Sequence, residues 1–300
     1  MQQPHFQRVT IIGVGLLGAS LGLTIKRQGA ALRVIGVGRA ESRSLQKALE
    51  IGAIDETTTD PHAGVRDSDL VVLAVNVGQF ASLMQTIARS LKSGALVTDV
   101  GSTKQQVLKW AGQWLPDTVD FIGSHPMAGS EKRGPDHARA DLYHDALCLI
   151  CPPKIRGRGA FTGKRVGAAL EKMERFWRSL GMRTAQLDAR THDQWVALIS
   201  HIPHAAACMT ALVAGRTPEA AVAIAGGFVD ITRVAAGDPA MWADIFLTNR
   251  LEMNKNLRIA IQTLRKLQSA IRRSDVAAVK DFLQAAKEQH ELLLARRNAR

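Results

Sequence analysis

Four short segments of this sequence hold residue types that chemistry could use. Near the N-terminus, Gly13-Val14-Gly15-Leu16-Leu17-Gly18 follows the apolar run Arg8–Ile12. A G-x-G-x-x-G string at a first strand-to-helix turn forms a cradle for a dinucleotide pyrophosphate. Gly13 permits the tight turn, Gly15 lets the backbone approach the phosphates, and Gly18 lets helix and strand pack closely. The backbone N–H groups that open the helix, at Leu16 and Leu17, then face the anion. The second segment is Asp99-Val100-Gly101-Ser102-Thr103-Lys104, and the third is Gly123-Ser124-His125-Pro126-Met127-Ala128-Gly129-Ser130-Glu131. An imidazole titrates close to neutral pH and suits a general base, so His125 is the candidate for proton transfer. The fourth joins His192-Asp193 to Ser200-His201-Ile202-Pro203-His204. His201 and His204 are three apart and share a helix face, and Pro203 between them is expected to kink the helix. No Glu or Cys at ligand spacing completes a metal site with these histidines, so no metal is expected.

The elements that must position these segments are legible as two rhythms. Apolar runs at Arg8–Ile12, Leu32–Val37, Asp69–Val75, Ala95–Val100, Val119–Gly123, Ala146–Cys151 and Arg183–Leu187 alternate with helix-length stretches such as Leu16–Gln28, Glu41–Ile51 and Val77–Leu91. Runs rich in Val, Ile and Leu without strict alternation suit strands covered on both faces, and their spacing predicts a Rossmann-type, doubly wound α/β sheet. Ser102 then follows the fourth strand and His125 the fifth. Ligands of such sheets lie at the carboxyl ends of the strands, so both are placed to reach one crevice. Beyond residue 189 the strand-like runs stop. Helical periodicity over 191–214, 217–236, 239–273 and 275–297 predicts an all-helical second domain, with Gly and Pro marking the earlier breaks. The expected domains are therefore 1–189 and 190–300, with Pro152–Lys164 an exposed loop.

Composition excludes several classes. In 300 residues, 46% hydrophobic and 22% charged residues describe an ordinary globular chain. No unbroken apolar run reaches membrane-spanning length and no signal-like segment opens the chain, so the expectation is a cytoplasmic protein with no membrane association. Three cysteines, Cys148, Cys151 and Cys208, make no disulfide framework. Cys148 and Cys151 fall in a buried-strand pattern and read as core. A net charge of +12 favours anionic partners. The basic residues are scattered and only one Tyr is present, so no nucleic-acid module is expected. The charge suits an anionic cofactor and an anionic small-molecule substrate. After the second strand comes Val37-Gly38-Arg39, where an acidic residue would hold the ribose 2′-OH of NAD. Arg39, helped by Arg43, could pair with a 2′-phosphate, so NADP is favoured over NAD.

Taken together, these segments resemble the prephenate/arogenate dehydrogenase family of tyrosine biosynthesis. The resemblance rests on the Gly13–Gly18 string, Asp99 to Lys104, Ser124-His125-Pro126-Met127-Ala128-Gly129-Ser130-Glu131-Lys132, His192-Asp193, Ser200 to His204, and Gly226-Gly227-Phe228-Val229-Asp230-Ile231-Thr232-Arg233, extended by Asp238-Pro239-Ala240-Met241-Trp242. It runs over roughly residues 8–260, and the two histidine strings are far more specific than the glycine motif. It implies that His125 takes the proton of a ring C4 hydroxyl as hydride leaves C4, with Ser102 beside histidine, substrate and cofactor. It further implies that Arg233 holds a substrate carboxylate, that Ser124, His204 and His201 line the substrate pocket, and that Glu131 stands at its entrance. Ala74 and Asn76 would lie beside the cofactor. The family implies a homodimer through the helical half, as does the apolar surface of the long helices. Asn76 and Cys151 depart from the residues common at their places in the family, Pro and Thr. No βαββαβ pattern follows the helices, so feedback through an appended regulatory domain is not expected.

Prephenate is favoured over arogenate, with use of both open. A β-hydroxyacid dehydrogenase would share the two-domain plan but place a catalytic Lys on the first helix of the second domain, and Thr191–Gly215 contains no Lys. A non-catalytic NADP-binding sensor is the remaining alternative; it would have no use for His125, Ser102, His204 and Arg233 together.

Overall fold

The computed structural model describes residues 4–40, 42–130, 132–154 and 163–298. Glu131, expected at the pocket entrance, and Glu41 lie outside the described residues, as does most of the loop expected at 152–164.

Eight strands form one sheet: β1 (Phe6–Ile12), β2 (Ala31–Val37), β3 (Glu56–Thr58), β4 (Leu70–Leu73), β5 (Leu96–Asp99), β6 (Asp120–Pro126), β7 (Leu147–Cys151) and β8 (Arg183–Gln186). Their spatial order is β3-β2-β1-β4-β5-β6-β7-β8, every pair parallel except β6 with β7. The order reverses between β1 and β4, which opens a crevice at their carboxyl ends. Six helices punctuate the strands: α1 (Leu16–Gln28), α2 (Arg43–Glu50), α3 (Pro61–Val65), α4 (Phe80–Ile87), α5 (Gln105–Trp114) and α6 (Gly163–Ser179). The central strands are buried on both faces because they are apolar at successive positions. Ile11 and Val72 pack into one core cluster with α1 and α6, while their neighbours Ile12, Val71 and Leu73 pack into a second with α4 and α5. This is the doubly wound architecture the sequence implies.

The strand count differs from the sequence reading by one. β3 is only three residues long and pairs with β2 at the sheet edge; Glu56-Thr57-Thr58 carries no apolar signal. Ser102 therefore follows the fifth strand and His125 lies on the sixth. β6 also runs on through Pro126, because His125 and Pro126 pair with Leu149 and Cys148 of β7.

The chain then turns helical: α7 (Ala189–Val196), a π-helical turn at Ala197–His201, α8 (Ile202–Ala214), α9 (Gly226–Thr232), α10 (Pro239–Thr248), α11 (Arg250–Arg272) and α12 (Val276–Asn298). Asp188 caps α7, its carboxylate accepting from the N–H groups of Arg190 and Thr191 at 3.1 Å. A π turn stands just before Pro203, where a kink is expected. Proline has no N–H to give to the carbonyl four residues back, and the wider turn before it absorbs the mismatch. Two of the expected helices are broken. Residues 217–236 are a 3-10 stretch at Pro218–Ala223, then α9, then a 3-10 turn at Arg233–Ala236, with Gly226 and Gly227 weakening the helix between them. The stretch 239–273 is interrupted at Asn249, whose side chain is engaged elsewhere, as described below.

Two compact units are present, Met1–Arg250 and Leu251–Arg300. The continuous helix Ala189–Ala214 is long and apolar enough on average to cross a membrane, although polar residues interrupt its apolar runs in the sequence. It nevertheless buries His192, Asp193, His201 and His204 on one side, and leaves Leu198, Ile199, Leu212 and Val213 exposed.

Candidate active site

The glycine turn is built as a phosphate cradle requires. Gly13 has φ +98°, and a Cβ there would lie 2.6 Å from the carbonyl oxygen of Ala74. A Cβ on Gly18 would meet the Gly13 carbonyl at 1.9 Å, so helix and turn touch backbone to backbone. Gly15 faces open space. It is also the N-cap of α1, with no side chain closing the helix end, so the first-turn N–H groups, Leu16 and Leu17 among them, remain for an anion. These residues fit a dinucleotide. Ala74 abuts Gly13, and Asn76, half-buried, opens a 3-10 turn at Val77–Gln79. Arg39 lies exposed just past β2.

Around the other side of the crevice, the loop carrying Ser102 is clamped on both sides. Lys104 and Asp99 are fully buried and form an ion pair at 2.5 Å. The Lys104 ammonium also donates to the carbonyls of Gly101 and Thr103 at 2.7 and 3.0 Å, and Asp99 accepts from the N–H groups of Gly101 and Ser124 at 2.8 and 3.2 Å. Burial pushes the Asp99 carboxyl above its ordinary value, against the pull of the Lys104 ammonium. Thr103 hydrogen-bonds through its hydroxyl to that of Thr248 on α10 at 2.9 Å. Ser102 is held half-buried between these anchors.

His125 and Ser124 point to opposite faces of β6, as successive strand residues must. Ser124 is fully buried. Its hydroxyl accepts from Thr98 Oγ1 at 2.9 Å and from the indole Nε1 of Trp177 on α6 at 3.0 Å. The pocket role expected for Ser124 is therefore replaced by a packing role: its side chain anchors the strand from behind. His125 faces the helical side, and its Nδ1 lies 2.9 Å from Nε2 of the fully buried His192. Burial lowers the His125 pKa well below the usual imidazole value, and the nearby His192, Lys104 and His201 add to this. The imidazole is therefore neutral near pH 7.

His201 and His204 share the buried face of the π turn and α8. The amide Nδ2 of Asn249 reaches the carbonyl of Asp193 at 2.8 Å and Nδ1 of His201 at 3.3 Å. His204 stacks on Trp242 of α10, with centroids 3.5 Å apart and planes 10° from parallel. Burial lowers both histidines, His201 to about 4. Nε2 of His201 and Nδ1 of His204 are buried with no hydrogen-bond partner among the described residues. Arg233 opens the 3-10 turn Arg233–Ala236, which packs on α8, and its side chain is exposed. Asp238, which caps α10, pairs with Arg133.

The sheet thus carries a glycine turn shaped for a nucleotide and a neutral, buried histidine, with a second buried histidine pair on the helices that follow. Residues 21–184 match the family model described as the nucleotide-binding domain of prephenate dehydrogenase, and residues 188–285 match the model of its dimerisation domain. The chain belongs to the prephenate dehydrogenase family. Its members share NAD(P)-dependent dehydrogenase activity in tyrosine biosynthesis. The chain is 31% identical to the prephenate dehydrogenase of Bacillus subtilis, over 94% of its own length and 75% of the relative's. It is 33% identical to the cyclohexadienyl dehydrogenase of Zymomonas mobilis, over 90% of each. Among solved structures it resembles the Aquifex aeolicus prephenate dehydrogenase in complex with hydroxyphenyl propionate and NAD+, with a TM-score of 0.84, 30% identity, and coverage of 96% of this chain and 98% of that one.

Lys104, His192 and Asp193 stand in the motifs above without an expected task, and Asn249 stands in none of them. Their signal is burial. Polar residues at zero or near-zero exposure in a helix or loop need partners, but a sequence does not show which positions are buried. Cys148 and Cys151 are both buried on β7, and burial raises both thiols, Cys151 to about 12, which leaves them unreactive.

Proposed function

We propose that this family member oxidises prephenate to 4-hydroxyphenylpyruvate with loss of CO₂, using His125 as the base. The observation that carries this reading is His125 itself. It sits at the carboxyl end of β6, kept neutral by burial, with Nδ1 taken by His192 and only Nε2 left for a ligand. The C4 hydroxyl gives its proton to His125 Nε2. When bound, the nicotinamide supplies the acceptor for the hydride that leaves C4. C4 is then a carbonyl carbon, and the C1–carboxylate bond breaks, its electron pair flowing through the ring to the C4 oxygen. The proton on His125 returns to that phenolate oxygen. Aromaticity drives the decarboxylation, so the protein's work is orientation and proton transfer.

Arg233 holds a substrate carboxylate, since a guanidinium fork matches that anion in geometry as well as charge. His204 and His201 turn their unpartnered nitrogens to the substrate. Ser102 bridges substrate and cofactor. Gly13, Gly15, Gly18, Leu16, Leu17, Ala74 and Asn76 hold the dinucleotide. Arg39, exposed at the end of β2 with Arg43 close in sequence, favours NADP. The dehydrogenase works as a cytoplasmic homodimer, joined through a helical domain that begins near residue 190; sedimentation at micromolar concentration is expected to give twice the chain mass. A two-by-two assay of prephenate or arogenate against NAD or NADP tests the substrate and cofactor together. Prephenate with NADP is expected to be the fastest pair. Turnover of arogenate alone would reassign the substrate, and tight NADP binding with no turnover would favour a sensor.

A further inference from the structure

The mechanism so far leaves two fully buried polar residues without a task. His192 and Asp193 follow one another on α7, and both have zero exposure. His192 Nδ1 lies 2.8 Å from Asp193 Oδ1, and its Nε2 lies 2.9 Å from His125 Nδ1. Asp193 is held in turn by the start of α5. Its Oδ1 accepts the N–H of Lys104 at 2.8 Å, and its Oδ2 accepts the N–H of Gln105 at 2.9 Å. The Asn249 amide fixes the Asp193 carbonyl. The carboxylate thus sits at the positive end of a ten-residue helix, where a negative charge is favoured.

Hydrogen-bond chemistry then dictates where the protons are. Both Asp193 oxygens are accepting, so the proton between Asp193 and His192 belongs to His192 Nδ1. A neutral His192 with a proton on Nδ1 has a lone pair on Nε2, which can only accept. His125 Nδ1 must therefore carry the donated proton, and the free lone pair of His125 falls on Nε2. The opposite tautomer would leave two lone pairs facing each other at 2.9 Å.

We propose that His192 and Asp193 are positioning residues for His125, forming an Asp193–His192–His125 chain that fixes its tautomer and takes up the charge it gains. This deepens the reading of His125 as the base and rests on it. When Nε2 accepts a proton, the Nδ1 proton of His125 shifts toward His192 Nε2. Positive charge is thereby delivered next to the Asp193 carboxylate, and one proton enters the chain for each one passed along. The same carboxylate ties α7 to the loop that carries Ser102, so base and hydroxyl are set by one anchor.

The test uses the full chain labelled with ¹⁵N at histidine. In the wild type, imidazole ¹⁵N shifts are expected to show His125 protonated on Nδ1 and unprotonated on Nε2. A proton on Nε2 would overturn the proposal without any variant. His192→Phe keeps a ring of similar size but cannot accept; it is expected to lower kcat about 100-fold, with KM within about threefold, and to lose the Nδ1 preference. His192→Gln, whose carbonyl can still accept from His125, is expected to recover at least about tenfold of that loss. Equal losses in the two variants, or kcat unchanged in His192→Phe, would overturn the relay. Unchanged turnover in His125→Asn would instead sink the base itself, so the two failures are distinguishable.

Discussion

Two sets of histidines meet in this molecule, and they differ in what is left unfinished. On the sheet side, His125 and His192 are joined to each other and to Asp193, and the Asp99–Lys104 pair beside them has its hydrogen bonds made within the protein. On the helical side, His201 and His204 are just as buried, yet each keeps one ring nitrogen without a partner. Buried polar atoms are nearly always paired. On the function proposed above, this difference separates tasks: His125 and His192 are fixed by their own partners, with only His125 Nε2 open, while the unpartnered nitrogens of His201 and His204 are the ones a ligand would complete.

The largest effect should come from breaking the satisfied side. Lys104→Met removes a buried ammonium and leaves Asp99 unpaired in the core, which is expected to cost about 3–5 kcal/mol of folding stability. Urea denaturation reads this directly, and a loss under about 1 kcal/mol would mean the loop is not anchored as described. Next comes acid. His201 has a pKa of about 4 in the folded protein against 6.5 for the free side chain, because burial and the neighbouring His192 and His204 outweigh the attraction of Asp193. Between pH 6.5 and about 4 the unfolded chain binds a proton that the native chain refuses, so stability falls as pH drops through that window. The expected loss is on the order of 3 kcal/mol. Thermal melts across this range should show it in the wild type and less of it in His201→Phe; identical acid profiles would remove His201 from the account.

Substrate contacts rank below these. Arg233→Ala is expected to raise KM for prephenate about 10- to 100-fold, the loss of one charged hydrogen-bonded contact, with kcat changed far less. A kcat loss with KM unchanged would move Arg233 from binding to catalysis. The smallest effect belongs to the rim: on the proposed cofactor reading, Arg39→Ala should shift the kcat/KM ratio of NADP to NAD by roughly tenfold toward NAD, a contact exposed to water being weakly held. No change in the ratio of kcat/KM values would leave NADP selectivity without a residue.

The sequence was informative where a residue's type determines its task. Gly13 and Gly18 could be assigned from spacing, because only glycine tolerates the contacts found at 2.6 and 1.9 Å. The alternating apolar and helical runs set the sheet, and the histidine strings hold the four buried histidines described above. β3 was hidden because Glu56-Thr57-Thr58 has no apolar pattern to read. Ser124 was placed by resemblance alone, and strand alternation turns its side chain away from the face that His125 takes. The break at Asn249 was invisible because it depends on two partners, Asp193 and His201, some fifty residues earlier in the chain.

The division of labour between the two histidine sets can be measured in one paired experiment. Binding of 4-hydroxyphenylpyruvate by calorimetry and turnover of prephenate are followed together in His125→Asn and His204→Ala. The account predicts that His125→Asn keeps product binding within about threefold and loses at least about 100-fold in kcat, while His204→Ala loses product affinity by about tenfold and keeps most of its kcat once saturated. The reverse pattern, with His125→Asn turning over normally and His204→Ala unable to, would contradict it.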